Sequence, residues 1–295
     1  MFRTITAVSL TFLLVFVTVN ALGADKTYNL TTIDFPNAAA TNIIGGISDR
    51  GDIVGSYTDS NKKTHGFLLS DGVFTTIDVP GATNTLARGI NARGDIVGSY
   101  QITPTKPGGD VHGFLLRDGV LTTFDYPGHL NTIPQRISAK GIIVGCYHDA
   151  DTMGSMHGMQ LTAAGFSASA VPASMHNGTS PGGKRIAGHY TDMMNHTHGY
   201  LIKKGVFNSF DVPGSVFTQA WDMNPSGEIV GVYTDAANIT HGFLRAGEDY
   251  RSIDFPGATR TRAFGINAHG DVVGTYMDAA NRVHGFLAEV AHKKR

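Results

Sequence analysis

Histidine recurs in this chain inside one phrase, His-Gly followed by an aromatic residue or Met, at His65, His112, His157, His198, His241 and His284. Successive copies stand 47, 45, 41, 43 and 43 residues apart. An aspartate opening the phrase Asp-x-Pro recurs in step with it, at Asp34, Asp78, Asp125, Asp211 and Asp254. An imidazole beside a carboxylate can move protons. A reaction needs such a pair once, however, whereas a pair written into nearly every copy answers a need of every copy, such as a hydrogen bond that satisfies a turn. These eleven residues are therefore read as structural.

Chemistry specific to one place is expected where the copies disagree. Arg88, His129, Arg136, Trp221, Asp222, Arg260 and Arg262 interrupt the repeat in or just beyond the connections between copies, where other copies carry small residues or Asn and Thr. Trp221 is the only tryptophan, and an aromatic ring near a polar opening can stack on the face of a sugar or plug a channel. These seven are the candidate ligand-binding residues. A second irregularity is a set of histidines outside the repeat, His148, His176, His189 and His196, in or beside the third and fourth copies. Imidazole suits Zn and Cu, but no short paired ligand spacing occurs, so no metal and no cofactor is expected and these four stay weak metal candidates. Aspartates at Asp59, Asp149, Asp192, Asp235 and Asp278 open a recurring loop, too sparse in oxygen ligands for Ca²⁺ and better suited to capping an Asx turn. No penicillin-binding signature and no phosphate-cradling loop is present.

The elements that position these residues follow from the period. Residues 82–126 contain four strand-sized pieces, "TLARGI", "DIVGSY", "HGFLL" and "VLTTFDY", broken by the tight turns "NARG" and "RDG". A four-stranded unit of this size cannot bury both of its faces alone, and radial stacking solves that problem. Six copies predict an all-β, six-bladed β-propeller with four antiparallel strands per blade. The last copy lacks a fourth strand and the chain opens with an orphan one, "YNLTTIDFP", so the N-terminal strand is expected to complete the last blade. By antiparallel parity the short turns share one face. The longer loops, such as "TDSNKKT" from Thr58 and "TDAANIT" from Thr234, share the other face with the crossings between blades.

Tandem "GI(N/S)xxGxIVGxY", "HGF" and "IDxPG" resemble the probable extracellular repeats of the bacterial HAF family, over nearly the whole chain from Tyr28 to Leu287 and weakest in the fourth copy. The resemblance implies an exported bacterial protein and supplies no activity or catalytic residues. Export agrees with the N-terminus, where Arg3, an apolar run and small residues read as a signal peptide over 1–24. One propeller domain over 25–290 and a short basic tail over 291–295 are expected, with no membrane span after cleavage and a secreted or periplasmic location. A formal charge of -1 provides no drive toward nucleic acid. Cys146 is the only cysteine, so an intrachain disulfide is impossible. The sequence thus predicts a monomeric binding or scaffold protein acting through its loop-bearing face on a glycan or envelope partner. A polysaccharide or small-molecule hydrolase or lyase, with Asp222 at the channel mouth, and a purely structural repeat are the alternatives.

Overall fold

The computed structural model describes residues 26–102, 111–129, 131–149 and 156–291, with the backbone of two short strands, Val8–Ser9 and Val17–Val19. The expected signal peptide otherwise lies outside the described residues, as do positions 292–295 of the tail. Every element is a strand, and no helix occurs among the described residues.

The strands group into four-stranded antiparallel units that follow the repeat. The second, Asn84–Ile90, Ile96–Gln101, Val111–Arg117 and Val120–Phe124, is typical. The first runs from Ala40–Asn42 to Val73–Ile77, the third from Asn131–Ile137 to Gly165–Ala168, the fourth from Ser174–Thr179 to Val206–Phe210, and the fifth from Ser215–Met223 to Asp249–Ile253. In the sixth, Arg260–Ile266, Val272–Met277 and Val283–Val290 are followed by Tyr28–Ile33, which pairs antiparallel with Val283–Val290 from Gly285 opposite Ile33 to Val290 opposite Tyr28. A single parallel pair, Val111 with Asn131, links the second and third units.

Turn chemistry sets the register. Asp71-Gly72, Asp118-Gly119 and Lys204-Gly205 join third to fourth strands through two residues of positive φ, the geometry of a type I′ hairpin, which glycine adopts without a Cβ clash. On the loop face, Asp59, Asp192, Asp235 and Asp278 accept backbone N–H groups further along their own loops, as from Lys63, His196, Ile239 and Arg282.

Buried apolar side chains lie between neighbouring units. Ile33 and Val273 of the sixth unit pack with Ile43, Ile53 and Phe67 of the first. Val54 and Ile77 of the first meet Ala87 and Phe114 of the second, and Ala187 and Val212 of the fourth meet Ala220 and Phe243 of the fifth. The smallest cluster, Cys146 and Met156 with Met175, joins the third unit to the irregular fourth, where burial pushes the Cys146 thiol up to about 12 and leaves it a packed thiol. Aromatic rings reinforce these seams: Phe35, Tyr126 and Phe255, each at the end of an outer strand, stack on Tyr57, Tyr147 and Tyr276 of the next unit at 3.6 to 3.8 Å.

The repeated glycine of Val-Gly-x-Tyr has a steric cause. A Cβ on Gly98, Gly231 or Gly274 would stand 2.0 Å from the carbonyl oxygen of Leu86, Gln219 or Arg262 on the innermost strand, and within 2.8 Å of the buried Phe of the His-Gly-Phe phrase. Only hydrogen fits there.

Candidate functional site

Innermost strands carry a bulge at one equivalent place. Pairing with the second strand slips between Ala87 and Gly89, Pro134 and Arg136, His176 and Gly178, Ala220 and Asp222, and Ala263 and Gly265. A bulge re-aims the extra residue, and the residues so displaced are Arg88, Gln135, Asn177, Trp221 and Phe264. Neighbours among them meet: Arg88 Nη1 donates to Gln135 Oε1 at 3.4 Å, and the Trp221 and Phe264 rings pack edge to face at 4.8 Å.

The residue after the bulge is glycine at Gly89, Gly178 and Gly265, and a Cβ there would stand within 3.0 Å of a neighbouring unit's backbone. The third and fifth units depart from this with Arg136 and Asp222, whose side chains meet in the space the glycines leave. Arg136 Nε donates to Asp222 Oδ2 at 2.9 Å, with both residues buried. Its Nη1 donates to the carbonyls of Arg88 and Gln135, and its Nη2 to those of Gly45 and Phe264. All five guanidinium donors are used, reaching into the first, second, third, fifth and sixth units. Asp222 also accepts from the backbone N–H of Met223 at 2.8 Å. Burial raises the Asp222 pKa against the opposing pull of Arg136.

Trp221 therefore separates from the residue beside it. It lines a cavity of about 390 Å³ between the fifth and sixth units on the loop-bearing side, together with Gln219, Asn238, Arg262, Phe264 and Ile44. Trp221 is half-buried, with its Nε1 donating to Gln219 Oε1 at 3.2 Å. Arg262 also borders a smaller adjoining cavity with Arg260 and Asn42. Both arginines are exposed, and among the described residues neither forms an ion pair with a carboxylate. No carboxylate or imidazole contributes to the lining of the larger cavity among the described residues.

Of the seven residues singled out as ligand candidates, Trp221 and Arg262 line the larger cavity, Arg260 joins Arg262 at the adjoining one, and the other four lie outside both linings. Arg136 and Asp222 satisfy each other. Arg88 donates to Ser99 Oγ and Gln135, and burial lowers its pKa to about 10. His129 lies outside the cavity lining: its Nδ1 is 2.6 Å from Asp149 and its ring packs on Tyr126 and Tyr147. Gln219 and Asn238 were missed, since nothing in their spacing marks a site.

The repeated histidines pair with the repeated aspartates, His65 with Asp78, His112 with Asp125, His198 with Asp211, His241 with Asp254, and His284 with Asp34, at 2.8 to 2.9 Å. In the third unit Ala170 stands where the aspartate would be, and His157 pairs instead with Asp149 at 2.7 Å.

The extra histidines do not converge. His148 approaches Cys146, whereas His176 is buried against Tyr200 and His189 against Asn177. Burial lowers the pKa of both His176 and His189 to about 4. A histidine held near 4 in the fold and near 6.5 in the unfolded chain contributes stability that is complete above pH 6.5 and is lost as pH falls toward 4. The melting temperature is therefore expected to fall between pH 7 and pH 4.5, by the equivalent of several kcal/mol for the two residues. His189→Gln should flatten that slope, and a melting temperature constant over the same range would refute the assignment.

No family model matches the chain, and no curated protein sequence matches it. Solved structures do. A gluconolactonase from Xanthomonas campestris superposes with a TM-score of 0.56 at 11% identity, covering 93% of this chain and 98% of its own. TolB from Acinetobacter baumannii gives 0.55 at 14% identity, over 82% of this chain and 64% of its own. The lectin of Aleuria aurantia, a six-bladed β-propeller with a fucose recognition mode, gives 0.50 at 13% identity over 87% and 93%. At such identities the likeness is one of fold, and the chain is an all-β protein of propeller type.

Proposed function

We propose that the six units close into one ring, with Tyr28–Ile33 completing the last blade, and that this ring is an exported glycan-binding protein of the HAF-repeat type, monomeric and secreted or periplasmic. The observation that carries the reading is the cavity of about 390 Å³ beside Trp221 on the loop-bearing face. Its lining pairs an aromatic wall, Trp221 and Phe264, with amide side chains from Gln219 and Asn238 and the cation of Arg262. Sugar faces stack on aromatic rings while their hydroxyls take hydrogen bonds from such amides. Arg260 and Arg262, free of carboxylate partners among the described residues, favour a sugar bearing a carboxylate, to which guanidinium binds in a bidentate manner. The lectin likeness adds fucosides to the sugars worth testing.

A hydrolase or lyase acting by proton transfer needs an acid and a base facing the bound sugar. Asp222, the one carboxylate the sequence offered for that role, is taken up by Arg136, which favours binding over catalysis. The test is a glycan array of residues 25–295 that includes fucosides and uronic-acid oligomers. Wild type is expected to bind a defined subset, Trp221→Ala to lose roughly 30-fold or more in affinity as a stacking anchor does, and Arg262→Met to lose the carboxylated members selectively. Absence of specific binding, or equal binding by Trp221→Ala, would overturn this function.

A further inference from the structure

The loop that joins the second and third strands of the fourth unit carries a histidine where its counterparts have none. In the first, fifth and sixth units this loop opens with Asp59, Asp235 or Asp278, and a carboxylate oxygen of that residue lies 3.4 to 3.5 Å from Nε2 of the repeat histidine six positions on. Two positions before that histidine stand Lys63, Ile239 and Arg282, none of which can ligate a metal ion as charged or apolar groups. The fourth unit has His196 there. Asp192 Oδ2 lies 3.4 Å from His198 Nε2 and 3.6 Å from His196 Nδ1, and the three ligand atoms fall within 4.8 Å of one another.

We propose that Asp192, His196 and His198 form a binding site for a first-row transition metal ion, of which Zn²⁺ is the probe ion. Bonds of about 2.0 to 2.2 Å from Zn²⁺ to imidazole nitrogen and carboxylate oxygen put tetrahedral ligands roughly 3.3 to 3.5 Å apart, close to the two separations above. Asp192 is held for this by its other oxygen, Oδ1, which accepts the backbone N–H groups of Met194 and His196 at 2.8 Å, leaving Oδ2 to ligate. His198 is held by Asp211, whose carboxylate accepts from Nδ1 at 2.8 Å and so directs the lone pair of Nε2 toward Asp192. A carboxylate behind a ligating imidazole is the usual outer support of such sites. His196 has a largely exposed side chain and can turn into the remaining position. Three protein ligands leave a fourth position open beside a cavity of about 270 Å³ bordered by His196, His198, Asp211 and Ser215.

The first and fifth units supply the controls. Residues 25–295 are titrated with Zn²⁺ at pH 7.5 by calorimetry, with a chromophoric chelator as competitor. Wild type is expected to take up one equivalent that His196→Ile, which restores the fifth unit's residue, weakens at least tenfold without changing the melting temperature of the metal-free protein. Ile239→His should place the same three donors in the fifth unit and raise the stoichiometry by one. If wild type and His196→Ile bind Zn²⁺ equally, or if wild type binds none under competition, the site does not exist. If Ile239→His adds no equivalent, the three donors do not suffice and the proposal fails.

Discussion

Replacing Asp222 by Ala should destabilise the protein by about 3–5 kcal/mol, the usual consequence of removing one partner from a buried ion pair. The loss is large because Arg136 would stay buried with its charge unanswered, held only by backbone carbonyls of four units. On a chain of this size the melting temperature should fall on the order of 10 °C. Arg136→Ala should do comparable damage from the other side, leaving Asp222 without its ion-pair partner. The pair is not required for the fold in principle, since other units carry glycine at the equivalent position. Arg136→Met combined with Asp222→Gly should therefore recover much of the loss that either of these two changes causes alone, and the coupling in the cycle formed by Arg136→Met, Asp222→Gly and their combination should be about 2 kcal/mol or more. Additive effects of the two single changes would mean that the side chains do not meet.

The second large effect is expected at Gly231. An alanine there would place its Cβ 2.0 Å from the Gln219 carbonyl oxygen and 2.5 Å from the Phe243 ring. Neither neighbour can yield: the carbonyl belongs to the innermost strand of the same unit, and Phe243 is fully buried. Over-packing of flexible side chains costs roughly 1–3 kcal/mol, and a clash with backbone should exceed that range, to about 4 kcal/mol with a register shift in the fifth unit. Gly205→Ala is the comparison. Its φ of 78° strains any other residue but nothing lies within 4 Å of the added Cβ, so the cost should be about 1–2 kcal/mol. Equal losses in the two variants would show that conformational freedom, and not the close approach of the inner strand, explains the repeated glycine.

Much of this architecture is legible in the sequence because each element repeats. Six appearances of His-Gly reveal the period, and the orphan "YNLTTIDFP" anticipates the pairing of Tyr28–Ile33 with Val283–Val290. Asx capping at Asp59 and its counterparts follows from residue type and place in the loop. The direction of side chains on the innermost strands is what spacing alone leaves open. Arg136 and Asp222 stand out as departures from the repeat, but they lie 86 residues apart, and their meeting depends on glycine at the equivalent place in other units and on bulges that no local pattern marks. The same bulge sends Trp221 to the loop-bearing cavity while Asp222 turns to Arg136. Nearness of His129 to a crossing in sequence does not say that it shares a cavity with Trp221, and it pairs with Asp149 instead. Gln219 and Asn238 are ordinary strand and loop residues until the fold sets them opposite Arg262.

The central functional claim is that ligand is held against Trp221, and the chain offers its own reporter, because Trp221 is the only tryptophan. Intrinsic fluorescence of residues 25–295 would be followed while a glycan selected by the array is added, beside an equal addition to Arg262→Met. A saturable change in emission with one site per chain, at concentrations matching binding measured independently and shifted to weaker affinity in Arg262→Met, is the predicted result. Binding that saturates by calorimetry while the emission of Trp221 stays constant would place the ligand elsewhere and contradict the account.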